Sequence, residues 1–275
     1  MRRTRSRFCG RPTCGSESEQ WLFAAYHIKV VVRDGTALWL SSGNFNNSNQ
    51  PDLDDTPHTM DRDWHVIIED APLARVFKAY LDNDYIAAKR YQTPDPAQIE
   101  EAIRNAESLK DREENPPVTT HATPPANPVE PQTFTGSVTV TPLLTPDREN
   151  GTFEYHCHIM ALVSKAEQSI WIQLQYIEAS PDTTGDYARL LQALADKAKA
   201  GVQVRLIVSA DYAEKNAEKM MATGVDILDV IRTQPSVHNK GFVFTGKTVI
   251  VSSQNFSPEG IEQNRDAGLV IESPR

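Results

Sequence analysis

Two histidine–lysine pairs stand in matching surroundings 211 residues apart, and that duplication constrains this chain more than any other feature. His27-Ile28-Lys29 and His238-Asn239-Lys240 each lead into a run of strand-forming apolar residues. Each is followed by a turn glycine (Gly35, Gly246), a serine (Ser42, Ser253), an asparagine (Asn44, Asn255) and a phenylalanine (Phe45, Phe256). The offset is constant: 238 − 27, 253 − 42, 255 − 44 and 256 − 45 all equal 211. Further on, Arg62-Asp63 and Arg265-Asp266 match at a second offset, 265 − 62 = 203. Duplication of a fold explains repeated apolar positions. It does not explain keeping this polar set, which points to two half-sites that face each other.

The segments around the motifs give an α/β chain. Residues 21–90 form a first block: a strand over 26–33, the turn pair Asp34-Gly35, a returning strand over 36–42, a polar loop over 46–62, a strand over 64–69 and a helix over 72–89. Leu73, Val76, Phe77, Tyr80 and Leu81 share one face of that helix. Residues 91–135 carry a predicted helix over 97–114 and then a Pro-rich linker. Residues 136–275 alternate strands (137–144, 169–177, 202–209, 225–231) with helices (152–168, 184–200, 211–222), then add the His238 hairpin and a last strand over 267–272. This alternation predicts a mostly parallel or mixed sheet flanked by helices in each of two pseudo-symmetric lobes. The second block spends about 100 residues before its histidine and the first spends 26. The first lobe is therefore expected to be incomplete at its start, and the second to lack a closing helix. On this reading the chain is a fragment whose native N-terminus lies upstream.

Composition narrows the function. The formal charge is −9. The first 20 residues are basic, with five arginines, so the remainder is more acidic still. An acidic body lacks the general basic surface that drives nucleic-acid affinity. No apolar run approaches the roughly 18 residues that cross a bilayer. Residues 1–20 have no apolar core of the signal-peptide kind and are expected to be disordered. Three cysteines, Cys9, Cys14 and Cys157, do not make a disulfide framework.

On a strand, residues i and i+2 point to one face, so each histidine projects beside its lysine. A cation next to an imidazole, repeated across a two-lobed cleft, suits an anion with several oxygens, such as a phosphodiester. Neutral histidine is a nucleophile and protonated histidine a general acid. Two imidazoles on opposite sides of one phosphorus can divide those tasks, while lysines and asparagine amides hold the non-bridging oxygens. This chemistry requires no metal and no cofactor.

The pattern resembles the phospholipase D superfamily, whose signature is H-x-K-x-x-x-x-D followed by a Ser-x-Asn segment in each of two lobes. His27, Lys29 and Asp34 fit the first copy, and Ser42-Gly43-Asn44 and Ser253-Gln254-Asn255 fit the later segment. Thr245 stands where the second copy would carry aspartate. The resemblance implies a covalent phosphohistidine that water or an alcohol resolves, with His27 as nucleophile and His238 as acid. It implies that Asp266 orients His27, that Asp63 orients His238, and that Asp34 supports its loop. Ser42, Asn44, Ser253 and Asn255 are the expected substrate-binding residues. Phospholipid is the leading substrate, by hydrolysis or headgroup transfer, with room for contact with a membrane surface. A nuclease of the same superfamily ranks behind it, followed by a non-catalytic phosphate- or partner-binding module. With both half-sites in one chain, no dimer is needed.

Other features carry less. His156-Cys157-His158 falls on a predicted helix, where adjacent side chains diverge by about 100° and cannot easily share an ion. Gln173, Gln175 and Glu178 lie on or just after a central strand and could border the pocket or pack at an edge. Trp39 and Trp64 read as packing residues. His58, His65 and His121 follow no pattern.

Overall fold

A computed structural model describes residues 23–46, 48–50, 60–88, 133, 135–178, 184–212 and 230–273. The expected helices over 97–114 and 211–222, the linker, most of the strand over 225–231, residues 1–20, His58 and His121 lie outside or largely outside them.

The first lobe is a three-stranded antiparallel sheet, β1 (Val30–Arg33), β2 (Ala37–Ser41) and β3 (His65–Ile68), followed by α1 (Ala71–Ala88). The second opens with β4 (Thr139–Thr145), the short hairpin β5 (Arg148–Glu149) and β6 (Thr152–Phe153), α2 (Glu154–Lys165) and β7 (Ser169–Leu174). It continues with α3 (Asp186–Lys199), β8 (Gln203–Ser209), β9 (Ile231–Gln234), β10 (Lys240–Phe244), β11 (Thr248–Ser252), α4 (Pro258–Glu262) and β12 (Asp266–Glu272). Its seven-stranded sheet runs β4-β12-β11-β10-β7-β8-β9.

The large sheet is mixed, as the sequence predicts. Four of its six pairings are antiparallel, and only β7–β8 and β8–β9 are parallel. Strand–helix alternation dictates parallel pairing only where a helix carries the chain back over the sheet, as α3 does between β7 and β8. The β10–β11 hairpin and β12 reverse direction without such a crossover.

Local chemistry sets the element ends. Asp186 opens α3 and Lys197 and Lys199 close it, each charge complementing the adjacent helix pole. Ser257 caps α4 by accepting from the Gly260 N–H, with Pro258 in the first turn. Both hairpins turn through two residues of positive φ: Asp34 (51°) and Gly35 (64°), Thr245 (47°) and Gly246 (67°). That is the pattern of a type I′ turn, which matches strand twist. Thr245 therefore does the backbone work of Asp34.

The repeat is visible in the packing. Leu38, Leu40, Trp64, Val66 and Ile68 line one face of the small sheet, and their counterparts Val249, Val251, Ala267, Leu269 and Ile271 line one face of the large sheet. These matching faces join one core, completed by Leu73 and Phe77 of α1 and by Leu144. The opposite faces part company. Phe242, Ile250, Phe256 and Val270 are buried in a core with Tyr155, Ile159 and Val163 of α2 and Tyr187, Leu190 and Leu194 of α3. Their counterparts are Val31, Trp39, Phe45 and Ile67, and of these Val31, Phe45 and Ile67 are exposed, Ile67 by 70%.

Candidate active site

The two histidines do not begin regular strands. The leading segment of each leaves its own hairpin and pairs in parallel with the other lobe, Tyr26 with Arg265 and Val237 with Arg62. The exchange is reciprocal. His27 N–H donates to Arg265 O at 2.9 Å, and His238 N–H donates to Arg62 O at 3.1 Å. Arg265 N–H donates to Ala25 O at 2.9 Å, and Arg62 N–H to Ser236 O at 2.8 Å. Each Arg-Asp pair is thus clamped by its backbone to the histidine segment of the opposite lobe.

That clamp places each carboxylate on an imidazole. His27 Nδ1 lies 2.9 Å from Asp266 Oδ1, and His238 Nδ1 lies 3.1 Å from Asp63 Oδ1. The serines complete the pattern. Ser42 Oγ donates to Asp63 Oδ1 at 2.7 Å and accepts from Trp64 N–H at 2.9 Å. Ser253 Oγ donates to Asp266 Oδ1 at 2.5 Å and accepts from Ala267 N–H at 3.1 Å. Ser42 and Ser253, expected to bind substrate, are instead wholly buried and spend their hydroxyls on the carboxylates. A hydroxyl one strand away is the nearest donor for a buried acid, and burial of the acid demands one.

The lysines are buried as well. Lys29 Nζ donates to His27 O at 2.5 Å. Lys240 Nζ donates to His238 O at 2.8 Å and reaches Ser42 O of the other lobe and Gln175 Oε1, both at 3.4 Å. It stands 3.1 Å from Nδ1 and 3.2 Å from Nε2 of His238. Burial lowers Lys29 to about 8, against the attraction of Asp266 and Asp63. Burial lowers Lys240 to about 7, with Asp63 and Asp266 pulling it up and Lys29 pushing it further down. Each lysine feels the carboxylates of both lobes, so the half-sites form one electrostatic cluster. Burial alone would raise the Asp63 carboxyl, but hydrogen bonds from His238, Ser42 and Asn49 outweigh it and hold the carboxyl low.

Asn44 and Asn255 are partly buried, and among the described contacts neither amide touches a histidine or lysine. Asn255 Oδ1 is buried and has no hydrogen-bond partner among the described residues. Asp34 stands at the hairpin turn, beside a hollow of about 290 Å³ that is also lined by Lys78 and Asp82. Gln175 reaches Lys240, whereas Glu178 N–H donates to Phe256 O. Trp64 packs over Gly241, where an added Cβ would come within 2.2 Å of the ring. Among the described residues no group of His, Cys, Asp and Glu could hold a metal ion. In the helix α2, His156 pairs with Glu262 at 2.9 Å, and Cys157 is exposed.

Residues 159–275 match the family described as cardiolipin synthase, phospholipase D-like domain. The fold is similar along 92% of the chain to phosphatidylserine synthase of Haemophilus influenzae Rd KW20, at 17% identity and a TM-score of 0.58. Residues 159–275 are therefore similar to a phospholipase D-like domain, and the fold of the chain is that of its structural neighbour. The chain spans 59% of the length of that synthase chain. It is also similar, over 50% of its length, to Nuc of Salmonella typhimurium, a phospholipase D family member, at 20% identity, 84% coverage of that chain and a TM-score of 0.39. NucT of Helicobacter pylori gives 14% identity, 50% and 87% coverage, and a TM-score of 0.38. No curated protein matches this chain by sequence.

Asn49 also belongs to this cluster, and nothing in the sequence singles it out. Its amide donates to Asp63 Oδ2 at 2.7 Å from within a polar loop that carries no repeat signal.

Proposed function

We propose that the chain is a phosphodiesterase that works through a covalent phosphohistidine, with phospholipid as its substrate. The observation that carries this reading is the crossed pair of His–Asp contacts, each bridging the lobes. A carboxylate on Nδ1 fixes the imidazole tautomer and leaves Nε2 for chemistry. Nε2 of one histidine attacks phosphorus as the bond to the leaving oxygen breaks, and that oxygen takes the proton of the other imidazole. The second histidine, now neutral, accepts a proton from water or an alcohol, whose oxygen displaces the first histidine from phosphorus. His27 takes the nucleophile's part and His238 the acid's. Lys29 and Lys240 hold the phosphoryl oxygens as charge builds.

The acidic composition supports lipid over nucleic acid. So do the names of the matched family and of the fold neighbour, cardiolipin synthase and phosphatidylserine synthase. The test is product analysis with labelled anionic phospholipid vesicles and with labelled DNA, with and without a short alcohol as acceptor. Free headgroup or an exchanged lipid is expected, and both disappear in His27→Ala and His238→Ala. Cleavage of DNA alone selects the nuclease. Turnover of neither substrate by the intact chain removes the catalytic reading.

A further inference from the structure

Asp63 and Asp266 occupy matching places in the repeat, yet their surroundings differ. Each accepts from one serine of its own lobe and one imidazole of the opposite lobe. Among the described residues only Asp63 has a third donor, Asn49 Nδ2, at 2.7 Å from Oδ2. The position matching Asn49 in the second copy is 49 + 211 = 260, a glycine buried in α4. Gly43 makes the room: a Cβ there would lie 2.4 Å from Asp63 Oδ2 and 3.1 Å from Asn49 Cβ. Its counterpart Gln254 turns away instead and donates to Leu143 O. Asn49 is 5% exposed. Its backbone is tied locally, since Asn49 N–H donates to Asn46 Oδ1 at 3.1 Å and Asp61 N–H donates to Ser48 O at 2.6 Å.

We propose that Asn49 is a positioning residue for the His238 half-site: its amide occupies Oδ2 of Asp63 and leaves Oδ1 turned to the imidazole. A carboxylate can rotate to offer either oxygen, and a buried donor on one of them stops that rotation. The same amide also donates to Asp61 Oδ2 at 3.3 Å, so it bridges two acids that would otherwise repel. The other charged or titratable groups that face Asp63 are His238 and Lys240 beside and on β10, Lys29 ahead of β1, and His65 on β3. Among the described contacts the Asn49 side-chain amide meets neither histidine nor lysine of the site and reaches the His238 imidazole through Asp63. Its consequence for turnover rests on the phosphodiesterase reading; its effect on Asp63 does not.

The test compares the full chain with Asn49→Asp and Asn49→Ala, following the imidazole ¹⁵N signals through the acidic range. Asn49→Asp keeps the shape and replaces the donor by an acceptor between Asp61 and Asp63. Protonation of Asp63, read at the His238 ring, is expected to move to higher pH by about one unit, roughly tenfold in proton affinity. Asn49→Ala moves it by less, and the His27 signals superimpose on wild type in both variants. If Asn49 only fills space, the isosteric aspartate leaves the His238 curve where it was, and that result overturns the proposal. Should Asn49→Ala fail to fold, the aspartate variant carries the comparison alone. In turnover, the acid limb of kcat follows the His238 signal while KM holds. An intact chain that turns over no phosphodiester refutes the enzyme, and the ring titration still decides Asn49.

Discussion

Asp266 accepts a hydrogen bond from His27 across 239 positions of sequence, with Nδ1 and Oδ1 2.9 Å apart. The carboxylate is wholly buried, and its other contacts, Ser253 Oγ and the strand to which it belongs, fix its direction. Asp266→Asn offers the imidazole an amide in place of an acceptor and favours the tautomer that blocks Nε2. A loss in kcat of roughly 10²- to 10⁴-fold is expected, with KM little changed. Steady-state kinetics, together with trapping of the phosphorylated histidine, checks it. Retention of full kcat would mean that Asp266 does not set the tautomer.

The two lysines predict how anion binding varies with pH. Lys29 and Lys240 are lowered to about 8 and about 7 by burial, so both are charged below neutrality and discharge as pH rises through that window. Inhibition by inorganic phosphate should therefore weaken between about pH 7 and 9, and Lys240→Met should flatten that dependence. The stability effect has the opposite sign. The folded chain releases these protons before the unfolded chain does, so the lysines make stability rise with pH between the folded and unfolded values. Chemical denaturation at a series of pH values measures it.

Gly43 and Thr245 separate function from stability. Alanine at 43 places Cβ against the Asp63 carboxylate. Gly43→Ala should cost on the order of tenfold or more in turnover by displacing Asp63, whatever happens to the melting point. Thr245 is a β-branched residue at φ 47°, where asparagine is at home. Thr245→Asn should raise stability by about 1 kcal/mol without changing kcat. A lower melting temperature for Thr245→Asn would show that its hydroxyl matters more than its backbone.

The outer face of the small sheet gives a solubility prediction. Val31, Trp39 and Ile67 form one cross-strand row, with Phe45 against Trp39 at 5.3 Å between ring centroids. Val31, Phe45 and Ile67 are exposed. An apolar row of this kind favours association. Ile67→Lys should lower concentration-dependent light scattering and leave the unfolding free energy within about 0.5 kcal/mol. Unchanged scattering would place the sticky surface elsewhere.

Much of the candidate site is legible in the sequence because a repeat reports on itself. Constant offsets of 211 and 203 single out His27, Lys29, Ser42, Asp63 and their partners without any coordinates. The Asp34-Gly35 turn, the strand periods and the apolar face of α1 follow from local backbone and side-chain preferences, which act within a few residues. Tertiary structure alone decided three things. It set which pairs of the mixed sheet run antiparallel, because strand direction depends on connections that periodicity does not encode. It turned Ser42 and Ser253 from ligand donors into buried partners of the carboxylates, because an acid out of water must be satisfied by whichever donor packs beside it. It recruited Asn49, which has no counterpart in the repeat, because the space above Gly43 exists only once the chain has folded.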